Sequence, residues 1–176
     1  MADAAEVPPD TLNDDVGVLT RREIEARIVA PLIERLGDEF GHDRVRELAL
    51  DVVRDVARGQ GAEMAAALGG SDLATFMAGN EAWTRGGALE MDIIEQSAEV
   101  FAFNVTRCRY AEMYKALGIP ELVALFSCDR DATMIQGFSP DIGFERTQTI
   151  MGGASHCDFR FTESRGSTPV ELPTSG

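Results

Sequence analysis

The groups able to do chemistry crowd into the last third of this 176-residue chain. Cys108 and Glu112 are four apart, a spacing that puts both on one face of a helix. Cys128 follows Ser127 at an expected helix start, with Asp129 and Asp131 in the first turn. A helix N-terminus lowers a thiol pKa, and two neighbouring carboxylates oppose that; taken alone, the two acids read as charges favourable to the helix dipole. The run His156-Cys157-Asp158-Phe159-Arg160-Phe161 reads as a strand. Alternation places Cys157 with Phe159 and Phe161 on an apolar face, and His156, Asp158 and Arg160 on the other.

Three uses of these groups are open. Cys128, Cys157 and Glu112, with Cys108 as a further donor, are soft or anionic ligands suited to zinc with one position left for water. No CxxC or HExxH spacing accompanies them. A thiol nucleophile needs a base within hydrogen-bond reach, and His156 is the only histidine in this region. His156 oriented by Asp158, or Glu112 alone, could instead activate water. Arg146 is either a structural ion-pair partner or a bidentate clamp for a substrate carboxylate. The bland alternative is that each cysteine beside a phenylalanine is a small core hydrophobe.

Those groups need positioning elements, and the chain changes character near residue 75. Before it the spacing is helical. Thr20 and Glu23 form a capping box, and Ile24, Ile28, Leu32, Leu36 and Phe40 mark one stripe of a helix over 20–40, kinked at Pro31. A second helix over 43–68 puts Val45, Leu48, Val52, Val53 and Val56 on its buried face, with Gly59 and Gly61 as weak points. A third starts at Ser71 or Asp72 and runs towards Trp83. Beyond it the pattern alternates: Leu89, Met91 and Ile93 face one way, and Phe101 and Phe103 mark a second strand paired with the first. Helices follow over 107–118, 120–126 and 128–136, then strands over 144–151 and 157–161 around Gly152-Gly153. The fold class is α+β: N-terminal amphipathic helices followed by a small, mostly antiparallel sheet with helices packed on it. Residues 1–18 read as a disordered acidic arm, 19–162 as a single α+β domain and 163–176 as a flexible tail.

Composition narrows the partners. A net charge of −14 argues against nucleic acid, whose phosphates call for Lys and Arg, and against an anionic membrane surface. No basic and apolar leader opens the chain and no apolar run reaches a membrane span, so a cytoplasmic protein with thiols rather than disulfides is expected. The long helices carry more apolar surface than one small sheet covers, so a homodimer is expected.

From Asn104 onwards the chain resembles the L-2-amino-thiazoline-4-carboxylic acid hydrolase family. The resemblance lies in 103–114 (FNVTRCRYAEMY), 127–131 (SCDRD), 137–141 (GFSPD) and 146–160 (RTQTIMGGASHCDFR), with the lead-ins RREIEAR at 21–27 and EAWT at 81–84. It implies a hydrolase that opens a cyclic amidine at a C–N bond, taking 2-aminothiazoline-4-carboxylate to N-carbamoyl-cysteine, a step towards cysteine. On it, Glu112, Cys128, Asp129, His156, Cys157 and Asp158 stand as catalytic candidates, and Arg146 and Asn104 as substrate-binding ones. Zinc on Cys128, Cys157 and Glu112 is the cofactor alternative to none. The rival class is a small-molecule binding or sensing domain without turnover, which a faint similarity of the late Cys and aromatic strand to 4-vinyl reductase-type ligand-binding domains supports. A third possibility is an unrelated small substrate on the same scaffold.

Overall fold

The computed structural model describes residues 12–119, 122 and 127–164. A short helix, α1 (Leu12–Val16), leads into two long ones, α2 (Val18–Phe40) and α3 (His42–Leu68), which run back on each other through Gly41. Gly41 sits at φ +92°, a conformation that favours glycine. Two short helices follow, α4 (Leu73–Gly79) and α5 (Glu81–Thr84), then strands β1 (Leu89–Gln96) and β2 (Val100–Cys108), helices α6 (Arg109–Ala116) and α7 (Asp129–Phe138), and strands β3 (Ile142–Glu145) and β4 (Cys157–Glu163). The sheet is antiparallel throughout, in the order β1-β2-β4-β3. The α+β class is therefore as expected, and among the described residues no helix is long and apolar enough to cross a membrane.

The sheet register sorts the side chains. Phe101 lies opposite Phe161, Phe103 opposite Phe159 and Val105 opposite Cys157, so one face is an apolar layer. Phe76 of α4 packs its ring on Phe138 and Phe161, and Ile135 of α7 joins the same core. The other face carries Asn104, Asp158 and Arg160; Arg160 donates to the Phe103 carbonyl and to Asn104 Oδ1.

Glycines explain how α7 comes to lie on α3. A Cβ on Gly61 would stand 2.1 Å from the Met134 carbonyl oxygen, and one on Gly137 would stand 2.0 Å from that of Arg58. The two backbones touch where side chains are missing. Gly61 is thus the point where α3 receives the second half of α7, not a weak point of the helix.

Several expectations are corrected. The helix cap of α2 is Gly17 with no side-chain cap bond, and Thr20 lies inside the helix. Helix α2 also runs unbroken through Pro31. Its buried face is Val18, Arg22, Ala26, Ala30, Ile33 and Gly37. The stripe Ile24, Ile28, Leu32, Leu36 and Phe40 points outwards, with Ile28 and Phe40 each 67% exposed. On α3, Val45 is buried, whereas Leu48, Val52 and Val56 are exposed. Ile93 is exposed too, because a register shift at Ile93/Glu95 breaks the alternation of β1. Cys108 ends β2 rather than entering α6. Strand β3 stops at Glu145 and residues 146–149 leave the sheet, held instead by Asp158, whose carboxylate accepts from the Thr147 and Gln148 backbone N–H groups and the Thr147 hydroxyl. Residues 12–18, expected in a loose arm, are α1 and the start of α2, and Glu163 ends β4 with its carboxylate accepting from the Leu73 N–H. The rest of the expected arm (1–11) and tail (165–176), and most of the expected helix over 120–126, lie outside the described residues.

Candidate functional site

The outward stripe of α2 leaves its opposite face, small residues with one arginine, turned to the interior. There α2, α3, α5 and α7 stand off the apolar face of the sheet and enclose a cavity of about 970 Å³. That volume is in the range of small-molecule sites. Met64, Trp83, Leu89, Val105, Met134 and Phe159 supply an apolar wall. Into it project Arg22 from α2, Gln60 and Glu63 from α3, Tyr110 from α6, Arg130 and Asp131 from α7, and Arg146 from the segment after β3.

All three cysteines line this cavity, from three separate elements. Their thiols are held protonated. Burial pushes Cys128 up to about 12, with the Asp131 charge adding to it. Burial likewise raises Cys108 and Cys157, against backbone N–H groups that partly offset it. Cys157 Sγ accepts from the Ile150 N–H at 3.2 Å. Protonated thiols are poor nucleophiles.

Asp131 is the polar centre of the cavity. Burial drives its carboxyl up to about 6, against the opposing pull of Arg146, Arg130 and Arg22. Its side chain keeps 30% exposure, where it lines the cavity. Arg146 Nη1 donates to Asp131 Oδ2 at 2.5 Å and Nη2 donates to the Cys128 carbonyl at 2.8 Å. The guanidinium also stacks over the rings of Phe144 and Phe159, 5.8 and 5.2 Å from their centroids. Arg146 therefore holds Asp131 and the first turn of α7 against β3. A carboxyl that titrates near neutral pH beside a fixed guanidinium can take and return a proton.

The remaining candidates stand apart. Glu112 is exposed on the outer surface, where hydrogen bonds from Arg107 hold its carboxyl below the usual range. Arg107 also reaches Glu90. His156 Nε2 lies 3.0 Å from the Gln148 side-chain nitrogen and Nδ1 lies 2.9 Å from Ser155 Oγ; it does not line the cavity. Burial would raise Asp158, but the bonds from Thr147 and Gln148 outweigh it and keep the carboxyl low. Asn104 is engaged by Arg160 on the outer sheet face, and Asp129 is half-buried outside the cavity lining. Among the described residues no three His, Cys, Asp or Glu side chains come together as a metal site. Cys128, Cys157 and Arg146 are thus the candidates brought together, and Asp131, Arg130, Arg22 and Tyr110 join them. Asp131 was visible in the SCDRD run, where its place in the first helical turn gave it an ordinary explanation.

A family model described as L-2-amino-thiazoline-4-carboxylic acid hydrolase matches residues 21–161. No curated protein matches the chain. Among solved structures, one similar fold is the phenol-responsive sensory domain of the transcription activator PoxR with phenol. It is 14% identical over 77% of this chain and 72% of that one, with a TM-score of 0.49.

Proposed function

Because the chain belongs to the L-2-amino-thiazoline-4-carboxylic acid hydrolase family, we propose that it hydrolyses a small cyclic amidine inside this cavity, with Asp131 as the acid–base group. The observation that carries the reading is the Asp131 carboxyl, raised to about 6 by burial and tethered by Arg146. Ionised Asp131 takes a proton from water as the oxygen adds to the amidine carbon. The tetrahedral centre then collapses, one ring bond breaks, and the proton returns to the leaving atom. With N-carbamoyl-cysteine as product the atoms require the ring C–S bond to break: both nitrogens stay on the carbon as a urea, and the electron pair and proton go to sulfur. A C–N break would give the S-carbamoyl isomer instead. Arg146 acts as a positioning residue for Asp131, since both of its terminal nitrogens are engaged by the protein. The three neutral thiols and the apolar wall exclude water and shape the site.

The test is incubation of the purified chain with 2-aminothiazoline-4-carboxylate, with and without added zinc, and mass spectrometry for N-carbamoyl-cysteine. Absence of product at high enzyme concentration counts against this substrate. Ligand that binds saturably and is recovered unchanged supports the rival, a binding domain without turnover, which the largely apolar wall also suits.

The chain functions as a homodimer in this reading. The stripes on α2 and α3 carry eight exposed large apolar side chains on one helical hairpin. Together they expose on the order of 800 Å², about what one partner contributes to a standard interface. Monomers rarely leave so much apolar surface to water. A second copy supplies the matching surface through a two-fold axis, which pairs each stripe with its own equivalent.

A further inference from the structure

Arg130 is a buried guanidinium, 9% exposed, facing the cavity. It donates to a neutral partner, Gln60 Oε1, at 2.5 Å, and among the described residues no carboxylate forms an ion pair with it. Asp131, its neighbour in the chain, is committed to Arg146. Arg22, 5% exposed, lines the same cavity. Its carboxylate partner is Glu25, which Arg21 shares. Glu25 also pulls on Arg130 through its charge without forming an ion pair with it, and Glu63, the other acid on the cavity wall beside Asp131, is exposed to solvent. Burial, and then the Arg22 charge, hold Arg130 down at about 10. A buried cation with no carboxylate in direct contact is costly, and an anion inside the cavity would supply that contact.

We infer that Arg130 with Arg22 forms an anion subsite that receives the carboxylate of the ligand. The planar guanidinium fork matches a carboxylate bidentately, and the apolar wall of Trp83, Met64 and Met134 takes the body that bears it. The ligand class is thus a compact ring monocarboxylate whose acid sits at Arg130 and whose reacting carbon is turned towards Asp131. The clamp is not Arg146, whose bonds are already made. This rests on the proposed hydrolase reading only for the orientation of the ring; the anion subsite stands on the charges alone.

Isothermal titration of the full chain with 2-aminothiazole-4-carboxylate, an aromatic ring that does not hydrolyse, and with 2-aminothiazole tests it. The wild type should bind the carboxylate at least about tenfold tighter than the bare ring, an Arg–carboxylate contribution of ordinary size. Arg130→Gln should lose that preference while binding the bare ring unchanged, and Arg130→Lys should keep part of it. Gln60→Glu supplies an internal carboxylate to Arg130, so it should raise the melting temperature and abolish the preference even if Arg130→Gln folds poorly. Equal binding of the two probes by the wild type, or an undiminished preference in Gln60→Glu, overturns the subsite. Carboxylate binding without turnover of the thiazoline would sink the hydrolase reading and leave the subsite standing.

Discussion

Asp131→Asn removes the proton acceptor while keeping the shape of the side chain, and the structure sets what it should do. If Asp131 takes the proton from water, its loss should lower kcat/KM by about 10²–10⁴-fold, the usual worth of a positioned acid–base group. The wild-type rate should fall about tenfold per pH unit below about 6 and level off above it, because only the ionised form accepts a proton. Stability reads the same carboxyl independently. Its folded pKa is raised from 3.8 to about 6, so it binds protons more tightly when folded. Its favourable contribution is full below the unfolded pKa and is lost as pH rises through about 6. Between about pH 7.5 and about pH 4.5 the unfolding free energy of the wild type should therefore gain about 2 kcal/mol relative to Asp131→Asn. Arg146, Arg130 and Arg22 face the carboxyl, as does Cys128; Arg130 at about 10, Arg146 above its ordinary value and Cys128 at about 12 keep their charge state across that window. Denaturant titration at the two pH values, beside a pH–rate profile, measures both effects. A variant within about threefold of wild-type activity refutes the acid–base role, and a stability difference that does not move with pH refutes the buried carboxyl itself.

The other expected outcomes follow from placement. Glu112→Gln and His156→Gln should leave kcat/KM within about threefold, since neither side chain reaches the cavity and no proton transfer runs through it. Cys128→Ser and Cys157→Ser should each keep the reaction insensitive to chelator, with less than about a tenth of an equivalent of zinc by metal analysis, because a zinc site needs at least three protein ligands. Gly61→Ala should cost roughly 1–3 kcal/mol in denaturant titration, as the added methyl meets the Met134 carbonyl across the α3–α7 contact. Light scattering at micromolar concentration should return twice the 19.1 kDa chain mass, and Ile28→Glu with Val52→Glu should return the single chain; a wild-type mass near 19.1 kDa removes the dimer.

Local pattern was a good guide to element type and a poor one to facing. The alternation around Cys157 fixed which residues share the apolar layer, and β2 with β4 carries that out residue for residue. The capping preference of Asp72 likewise marked the start of α4, where its side chain accepts from the Thr75 N–H. The spacing of Ile24, Ile28, Leu32, Leu36 and Phe40 could not say whether the stripe faces the chain's own core or outwards. Hydrophobic periodicity reports that a face avoids water, and a face covered by a second copy has the same period as one covered by the chain's own core. The face that turned inwards, Val18, Arg22, Ala26, Ala30, Ile33 and Gly37, is marked by small side chains that let helices approach, a weaker signal than bulk.

The same ambiguity hid the site. Glu112 and His156 looked reactive because of their types, yet each spends its polar atoms on surface partners, Arg107 in one case and Gln148 and Ser155 in the other. Asp131 looked ordinary because a carboxylate in a first helical turn already has an electrostatic reason to be there. What raises its carboxyl is depth, which comes from contacts far away in the chain. Gly61 and Gly137 let α7 sink onto α3, and Arg146, delivered by the segment that Asp158 pulls off the sheet, closes over it. Asp158 thus serves the cavity from outside it: by accepting from Thr147 and Gln148 it ends β3 at the residue before Arg146 and frees that side chain to turn inwards. Charge at the wall follows the same logic. Arg22 and Arg130 sit on interior faces where hydropathy would place leucines, and a buried cation kept at such cost is the more informative residue because stability alone would have discarded it.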